Sequence, residues 1–132
     1  MELKEYTILL VEDDEIILDI FSRIFRKEFN VISCRNVESF YAATRNSQKV
    51  DLFILDMALG SEKNGLDLIK ELRESDMYVS TPIVVVSAHA FIKDERLALS
   101  AGANKYIRKP IENKYLVEEV KKILSERNKL HK

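Results

Sequence analysis

The sequence predicts a single α/β domain with a doubly wound, parallel, five-stranded sheet of (βα)5 organisation. The first observation is that short β-rich apolar runs alternate five times with helical patterns along the 132 residues. Such alternation is typical of parallel sheets joined by right-handed crossovers, with helices on both faces. The second is that three of the runs are almost continuously apolar, which indicates strands buried on both faces. The length also suits one domain, since domains commonly contain about 100–150 residues.

The predicted strands are the apolar runs, taken in chain order. They are Thr7–Val11, Val31–Cys34, Leu52–Leu55, Ile83–Val86 and Lys105–Ile107.

Apolar side chains at helical spacing mark the five helices between and after these strands. The clearest pattern is one apolar stripe in the first helix, formed by Ile16, Ile17, Ile20, Phe21, Ile24 and Phe25. The second helix is marked by residues 37–44, the third by residues 66–72, the fourth by Phe91 to Ala101 before Gly102, and the last begins near Ile111. A glycine directly after a helix is a common C-terminal signal.

Composition and charge exclude several classes of protein. A formal net charge of −1 gives no electrostatic support for direct binding to nucleic acid or to a membrane surface. The single cysteine, Cys34, excludes an internal disulfide, and we expect it to be a small buried hydrophobe. The N-terminus "MELKEYTI" lacks the apolar core of a signal peptide, and no apolar run approaches the roughly 18 residues of a membrane helix. We therefore expect a cytoplasmic protein.

Polar residues with useful chemistry follow four of the five strands. In a sheet of this kind, ligands bind outside the carboxyl ends of the strands, so these residues are the candidates for function. They are Glu12, Asp13 and Asp14 after the first strand, Asp56 after the third, Ser87 after the fourth, and Lys109 with Pro110 after the fifth.

The acidic run in "ILLVEDDE" needs a compensating positive charge. Two carboxylates about 4 Å apart repel by about 4 kcal/mol at the effective dielectric of a protein surface. Converging carboxylates without histidine or cysteine suit a hard cation, and we expect Mg²⁺. Asp14 is expected to cap the first helix instead, by accepting a free backbone N–H.

Asp56 stands apart because it ends the apolar strand "DLFILD" with no neighbouring acid in sequence. An aspartate carboxylate can attack a phosphoryl group and form an aspartyl phosphate. Lys109 would contact the phosphoryl oxygens as a point charge, and Ser87 would donate a hydrogen bond to them.

With these motifs in order, the chain resembles the receiver domain of response regulators, the family typified by the bacterial chemotaxis regulator. The resemblance covers the whole chain, from "ILLVEDDE" through "VVVSAHA" and "YIRKP" to the last helix. It implies a flavodoxin-like fold with the strand order 2-1-3-4-5. The implied site residues are Glu12, Asp13, Asp56 and the backbone carbonyl of Ala58 for Mg²⁺, Asp56 as phosphoacceptor with Lys109 and Ser87, and Ser87 with Tyr106 as the switch pair.

The resemblance also implies partners. A sensor histidine kinase or a phosphotransfer protein would phosphorylate Asp56, and an unknown downstream protein or output domain would respond. The domain would accept and hydrolyse the phosphoryl group without being a turnover enzyme. Residues 1–132 would form one receiver domain, either stand-alone or the N-terminal domain of a longer protein. A phosphorylation-dependent homodimer through the fourth-helix face is left open.

Two departures from the family pattern lie near the site. Gly60 stands where proline is usual, and the loop has one extra residue before Gly65. His89 lies where the family tunes the lifetime of the phosphate. The family pattern therefore does not predict the shape of the loop from Ala58 to Gly65.

Three other functions share part of this pattern. A phosphorylation-independent pseudo-receiver would have the same fold and act as a binding module. A haloacid-dehalogenase-type phosphatase is less consistent, because its second acid would fall at Ala58. A flavodoxin-like cofactor binder is also less consistent, because the acidic run after the first strand would repel the phosphate of FMN.

Overall fold

A computed structural model of the chain describes residues 5–46, 48–60, 62–88 and 91–130. Strands and helices alternate along the chain as the sequence predicts. The elements are β1 (Thr7–Val11), α1 (Glu15–Arg26), β2 (Asn30–Cys34), α2 (Val37–Arg45), β3 (Leu52–Leu55), α3 (Gly65–Glu74), β4 (Ile83–Ser87), α4 (Ile92–Ala101), β5 (Lys105–Arg108) and α5 (Asn113–Leu130).

The five strands form one parallel sheet in the order β2-β1-β3-β4-β5. Val11 at the end of β1 pairs with Cys34 on one side and Leu55 on the other. The carboxyl ends of β1 and β3 therefore lie side by side in the middle of the sheet. The expected strand order and the doubly wound topology are both confirmed.

Alternate strand residues pack into two apolar layers. Leu9 of β1 and Phe53 of β3 face the layer that contains α2, α3 and α4, whereas Ile8 and Leu52 face the layer with α1 and α5. All four side chains are fully buried. Burying one side chain of this size contributes about 1.5–3 kcal/mol. The continuous apolar runs thus mark strands covered on both faces, as expected.

The apolar stripe of α1 is only partly buried. Phe21 and Phe25 belong to the core, but Ile16 is 73% exposed and Ile20 is 42% exposed. At about 100° per residue, the predicted stripe covers half of the helix circumference, with Ile16 and Ile20 towards one edge. The buried face is rotated towards Ser22, which is 3% exposed and hydrogen-bonds to Ser33 of β2. The predicted buried face of α1 therefore extends too far towards Ile16 and Ile20, and it does not include the buried Ser22.

Several element ends differ from the sequence prediction by one or two residues. β4 includes Ser87 and β5 includes Arg108, so Ser87 is the last strand residue and not the first loop residue. α4 begins at Ile92, with Phe91 as an N-cap that makes no side-chain hydrogen bond. α5 begins at Asn113.

Two sequence expectations about single residues are confirmed here. Cys34 is 1% exposed, and burial raises the pKa of its thiol to about 11. The Asp14 carboxylate accepts hydrogen bonds from the backbone N–H groups of Ile16 and Ile17, at 2.9 and 3.2 Å. Asp14 therefore caps α1.

Among the described helices, none has the length and apolar character to cross a bilayer.

Arg73 joins three segments at the end of the sheet opposite the carboxyl ends of the strands. Its guanidinium donates hydrogen bonds of 2.8–3.2 Å to one side-chain oxygen and four backbone carbonyls. The acceptors are Gly102 at the end of α4, Tyr78, Val79 and Thr81 before β4, and the Asn104 side chain before β5. One side chain thus fixes the C-terminus of α4 against the segment that leads into β4.

We predict that Arg73→Met destabilises the protein by about 2 kcal/mol, because several partly buried carbonyls lose a charged donor and gain no replacement. The measurement is urea denaturation followed by far-UV circular dichroism. Arg23→Met is the matched control, since Arg23 is largely exposed and pairs with Asp19 on its own helix. We expect that control to stay within about 0.5 kcal/mol of the parent protein. Equal stabilities of the two variants would contradict the role assigned to Arg73.

Candidate functional site

Backbone hydrogen bonds continue past the strands and bring the predicted site residues together. The N–H of Glu12 donates to Cys34 at 3.0 Å, and the N–H of Asp56 donates to Val11 at 3.1 Å. The N–H of Lys109 donates to Ser87 at 2.8 Å, and the Lys109–Pro110 peptide bond is cis. The residues that follow β1, β3 and β5 therefore share one edge of the sheet with Ser87 of β4.

Three of these side chains form a buried charge cluster. The Lys109 ammonium donates to a carboxylate oxygen of Glu12 and, at 2.9 Å, to Oδ2 of Asp56. The side chains of Glu12, Asp56 and Lys109 are only 5%, 10% and 15% exposed. Charges buried to this extent are tolerated only when they are paired and hydrogen-bonded. Lys109 is the group that allows two carboxylates to occupy this edge.

The protonation behaviour of the cluster follows from burial and from these contacts. Burial and the adjacent Asp56 carboxylate raise the pKa of Glu12 to about 7, against the opposing effect of Lys109. Burial opposes ionisation of Asp56 as well, but hydrogen bonds with Glu12, Lys109 and the Ala58 amide hold its pKa below the usual value. Burial lowers the pKa of Lys109, but the contacts with both carboxylates outweigh it and raise that pKa. These contacts therefore favour the ionised form of Asp56.

The acids at this edge fit a small divalent cation. Glu12, Asp13 and Asp56 each offer one carboxylate oxygen, and the three atoms lie within 4.8 Å of one another. Oε2 of Glu12 is buried and has no hydrogen-bond partner within the described part of the chain. Asp13, by contrast, is exposed to solvent. A set of hard carboxylate oxygens with one unsatisfied acceptor matches the donor preference of Mg²⁺.

The loop after β3 packs closely on the site. The Ala58 amide donates to Oδ1 of Asp56 at 3.1 Å, so both Asp56 oxygens have partners. Gly65 lies directly against β3, because a Cβ there would be 2.2 Å from the Asp56 carbonyl oxygen. Gly60 has a φ of +63°, and a Cβ there would be 3.2 Å from Oδ2 of Asp13. The glycine that departs from the family pattern therefore lies beside the exposed acid.

The residues of the predicted switch pair are adjacent. Ser87 is fully buried at the end of β4, and Tyr106 on β5 is 8% exposed. Burial raises the pKa of the Tyr106 hydroxyl, while a hydrogen bond with Ser87 opposes that shift. The two hydroxyls are therefore coupled across neighbouring strands. His89, the third predicted residue of this region, lies outside the described residues.

Sequence reasoning found the side chains of the site but not all of their contacts. Glu12, Asp13, Asp56 and Lys109 converge as predicted, and Ser87 lies at the same edge. The direct contact between Lys109 and Glu12 was missed, because it joins residues 97 positions apart. The role of the Ala58 carbonyl as a metal ligand stays a prediction, as do the switch roles of Ser87 and Tyr106.

This fold and this edge are those of a known family. Residues 8–121 match the model of the response regulator receiver domain. The chain belongs to that family.

Relatives agree with this assignment. The transcriptional regulatory protein CpxR of Klebsiella pneumoniae is 35% identical over 118 residues, which are 89% of this chain and 48% of the relative. The response regulator SaeR of Staphylococcus aureus is 28% identical over 94% of this chain and 53% of the relative. The chain thus spans about half the length of the curated relatives it matches. Both relatives are named as regulators.

Solved structures show the same fold. A response regulator from Thermotoga maritima is 33% identical and superposes with a TM-score of 0.78, over 91% of this chain and 98% of that one. A CheY-like receiver domain from Methanospirillum hungatei is 26% identical and superposes with a TM-score of 0.85, over 94% of this chain and 97% of that one.

We predict that Lys109→Met destabilises the metal-free protein by about 3 kcal/mol, because two buried carboxylates lose their shared cation. Urea denaturation in EDTA measures the effect. Lys70→Met removes an exposed lysine from α3 and is the charge-matched control, with an expected change below about 0.5 kcal/mol. A Lys109 variant as stable as the control would show that the buried cluster does not need this cation.

Proposed function

We propose that this receiver domain is phosphorylated on Asp56 and acts as a two-component signalling switch. The observation that carries the proposal is the environment of the Asp56 carboxylate. It is kept ionised by Lys109 and the Ala58 amide, and it lies beside two further acids at the carboxyl edge of the sheet. A carboxylate nucleophile, a fixed cation and a set of hard oxygens are what phosphoryl transfer to aspartate requires.

Glu12, Asp13 and Asp56 would hold Mg²⁺, with the Ala58 carbonyl as a further ligand by family resemblance. The bound ion would supply positive charge for the phosphoryl oxygens, which repel the acids of the site. Support comes from the unsatisfied Oε2 of the buried Glu12 and from the clustering of the three carboxylate oxygens.

The transfer step follows from the position of Asp56. An oxygen of the carboxylate attacks the phosphorus of a phosphohistidine on the donor protein. An O–P bond forms while the P–N bond breaks, and the imidazole nitrogen keeps the electron pair of that bond and takes up a proton from solvent. Lys109 remains protonated throughout and places its charge beside the new phosphoryl group, as its raised pKa allows.

The response would start at Ser87 and Tyr106. A phosphoryl group on Asp56 adds negative charge and hydrogen-bond acceptors at the edge where Ser87 lies, and it competes with Tyr106 for the serine hydroxyl. Any movement of Ser87 would then change its hydrogen bond with Tyr106. A local change of charge would thus alter the packing between β5 and α4.

The partners of this function would be a sensor histidine kinase or phosphotransfer protein and a downstream protein or output domain. A cytoplasmic location and a phosphorylation-dependent homodimer belong to the same proposal.

We predict that the protein, incubated with Mg²⁺ and acetyl phosphate, gains the mass of one phosphoryl group. Intact mass spectrometry measures the product. Asp56→Asn should gain nothing, whereas Asp76→Asn, which changes an exposed acid outside the site, should behave like the parent protein. EDTA should abolish the reaction. No adduct on the parent protein, together with no binding of beryllofluoride, would favour the pseudo-receiver function instead.

We predict opposite effects of Asp13→Asn on stability and on metal binding. Without metal, the variant should be more stable by up to about 1 kcal/mol, because one of three mutually repelling carboxylates is removed. Its affinity for Mg²⁺, measured by titration calorimetry, should fall by about ten-fold or more, since a charged ligand is lost. Asp76→Asn again serves as the control. An unchanged Mg²⁺ affinity would exclude Asp13 as a ligand.

A further inference from the structure

The loop between β3 and α3 carries several of the contacts on which the proposed site depends. Ala58 contacts Asp56 through its amide, and Gly60 lies against Asp13. The first part of the loop is packed against the core, since Met57 and Leu59 are buried. Its middle contains the positive-φ Gly60, and glycine imposes the least conformational restriction on the backbone. Contacts beyond Gly60 therefore decide how firmly this glycine is held against Asp13.

Lys63, three residues after Gly60, belongs to a polar cluster with residues of α2 and α3. Its ammonium donates to the hydroxyl of Tyr41 on α2 at 2.7 Å and to both oxygens of Glu71 on α3 at 3.2 and 3.3 Å. The Tyr41 hydroxyl donates to Glu71 at 2.7 Å. The ammonium also lies 5.1 Å from the centre of the Tyr41 ring. We call these three residues the Lys63 cluster.

The cluster joins the end of the loop to two helices that are themselves packed into the core. Tyr41 follows the buried Phe40, and its ring packs edge-on against that residue at 5.6 Å. Glu71 precedes the buried Leu72. Three residues of extended chain span at most about 11 Å, so an anchored Lys63 confines Gly60 to a small region.

We propose that the Lys63 cluster is a positioning device, which holds Gly60 and the Ala58 segment against the acids at the carboxyl edge of the sheet. The inference rests on the proposed Mg²⁺ site and adds residues that do not touch the ion. Lys63, Tyr41 and Glu71 act through the backbone of the loop. The cluster compensates for the flexible glycine at position 60.

Two effects of removing the Lys63 ammonium, the lost charge and the lost anchor of the loop, change the affinity for Mg²⁺ in opposite directions. Removing a positive charge near an acidic site should strengthen the binding of Mg²⁺, if electrostatics alone matters. Loosening the loop should instead weaken the binding of Mg²⁺. The variants are Lys63→Met, which keeps most of the side-chain stem, and Tyr41→Phe, which removes one hydroxyl and no charge. Lys70→Met on α3 measures the pure charge effect.

We expect Lys63→Met and Tyr41→Phe each to bind Mg²⁺ about three-fold more weakly in titration calorimetry, the size expected for losing exposed polar contacts. Lys70→Met should bind as tightly as the parent protein or more tightly. Lys63→Arg, which retains a cation of similar reach, should restore most of the affinity. Amide hydrogen exchange in metal-free protein should rise at residues 57–60 and 62–65 in the first two variants, with β3 unchanged.

Each other outcome overturns the inference in a recognisable way. If Lys63→Met and Tyr41→Phe bind like Lys70→Met while the parent protein binds Mg²⁺, the proposed function stands and the positioning role is wrong. If exchange rises equally in the loop and in β3, the cluster supports global stability and has no specific effect on the site. If the parent protein binds no Mg²⁺, the proposed function fails and the inference fails with it.

Discussion

The contact of Lys109 with two buried carboxylates is the constraint on which this edge of the sheet depends. Glu12 follows β1, Asp56 follows β3 and Lys109 follows β5, so the contact links three strands. Lys109 offsets the repulsion between the two buried carboxylates by donating a hydrogen bond to each of them. The strand order places β1 next to β3 and leaves β4 to present Ser87 at the same edge. The parallel sheet is thus the frame that brings these charges together.

The two acids after β1 have different environments, although they are adjacent in sequence. Glu12 is 4% exposed and is tied to Lys109, whereas Asp13 is exposed and lies beside Gly60. Burial raises the pKa of the first acid, so part of its charge is withheld at neutral pH. An acid pair of this kind combines one group that belongs to the interior and one that faces incoming ions. The N–H of Glu12 still bonds to Cys34 of β2, whereas the chain bends at Asp13 and leaves the sheet.

The fold and the site side chains could be predicted because each depends on local pattern and on strand ends. Apolar runs located all five strands, and the residues after them proved to be neighbours in space. The exposure of Ile16 and Ile20 could not be predicted, since the face that α1 buries is chosen by its partners β2 and α5. The Lys63 cluster and the Arg73 contacts were missed for the same reason. Each joins polar groups from separate elements, and no periodicity in the sequence records such pairs.

The Arg73 contacts have a mechanical consequence for α4. This helix is bound at its last turn, where Gly102 accepts two hydrogen bonds from the guanidinium. At its first turn, Phe91 provides no side-chain cap, and Ala98 is the buried residue of the helix. Glu95 in the same turn pairs with Arg108 of β5 at 3.9 Å. The helix is thus held at its C-terminus by Arg73 of α3 and near its N-terminus by the strand that carries Tyr106, so a shift of β5 reaches the first turn of α4 through this ion pair.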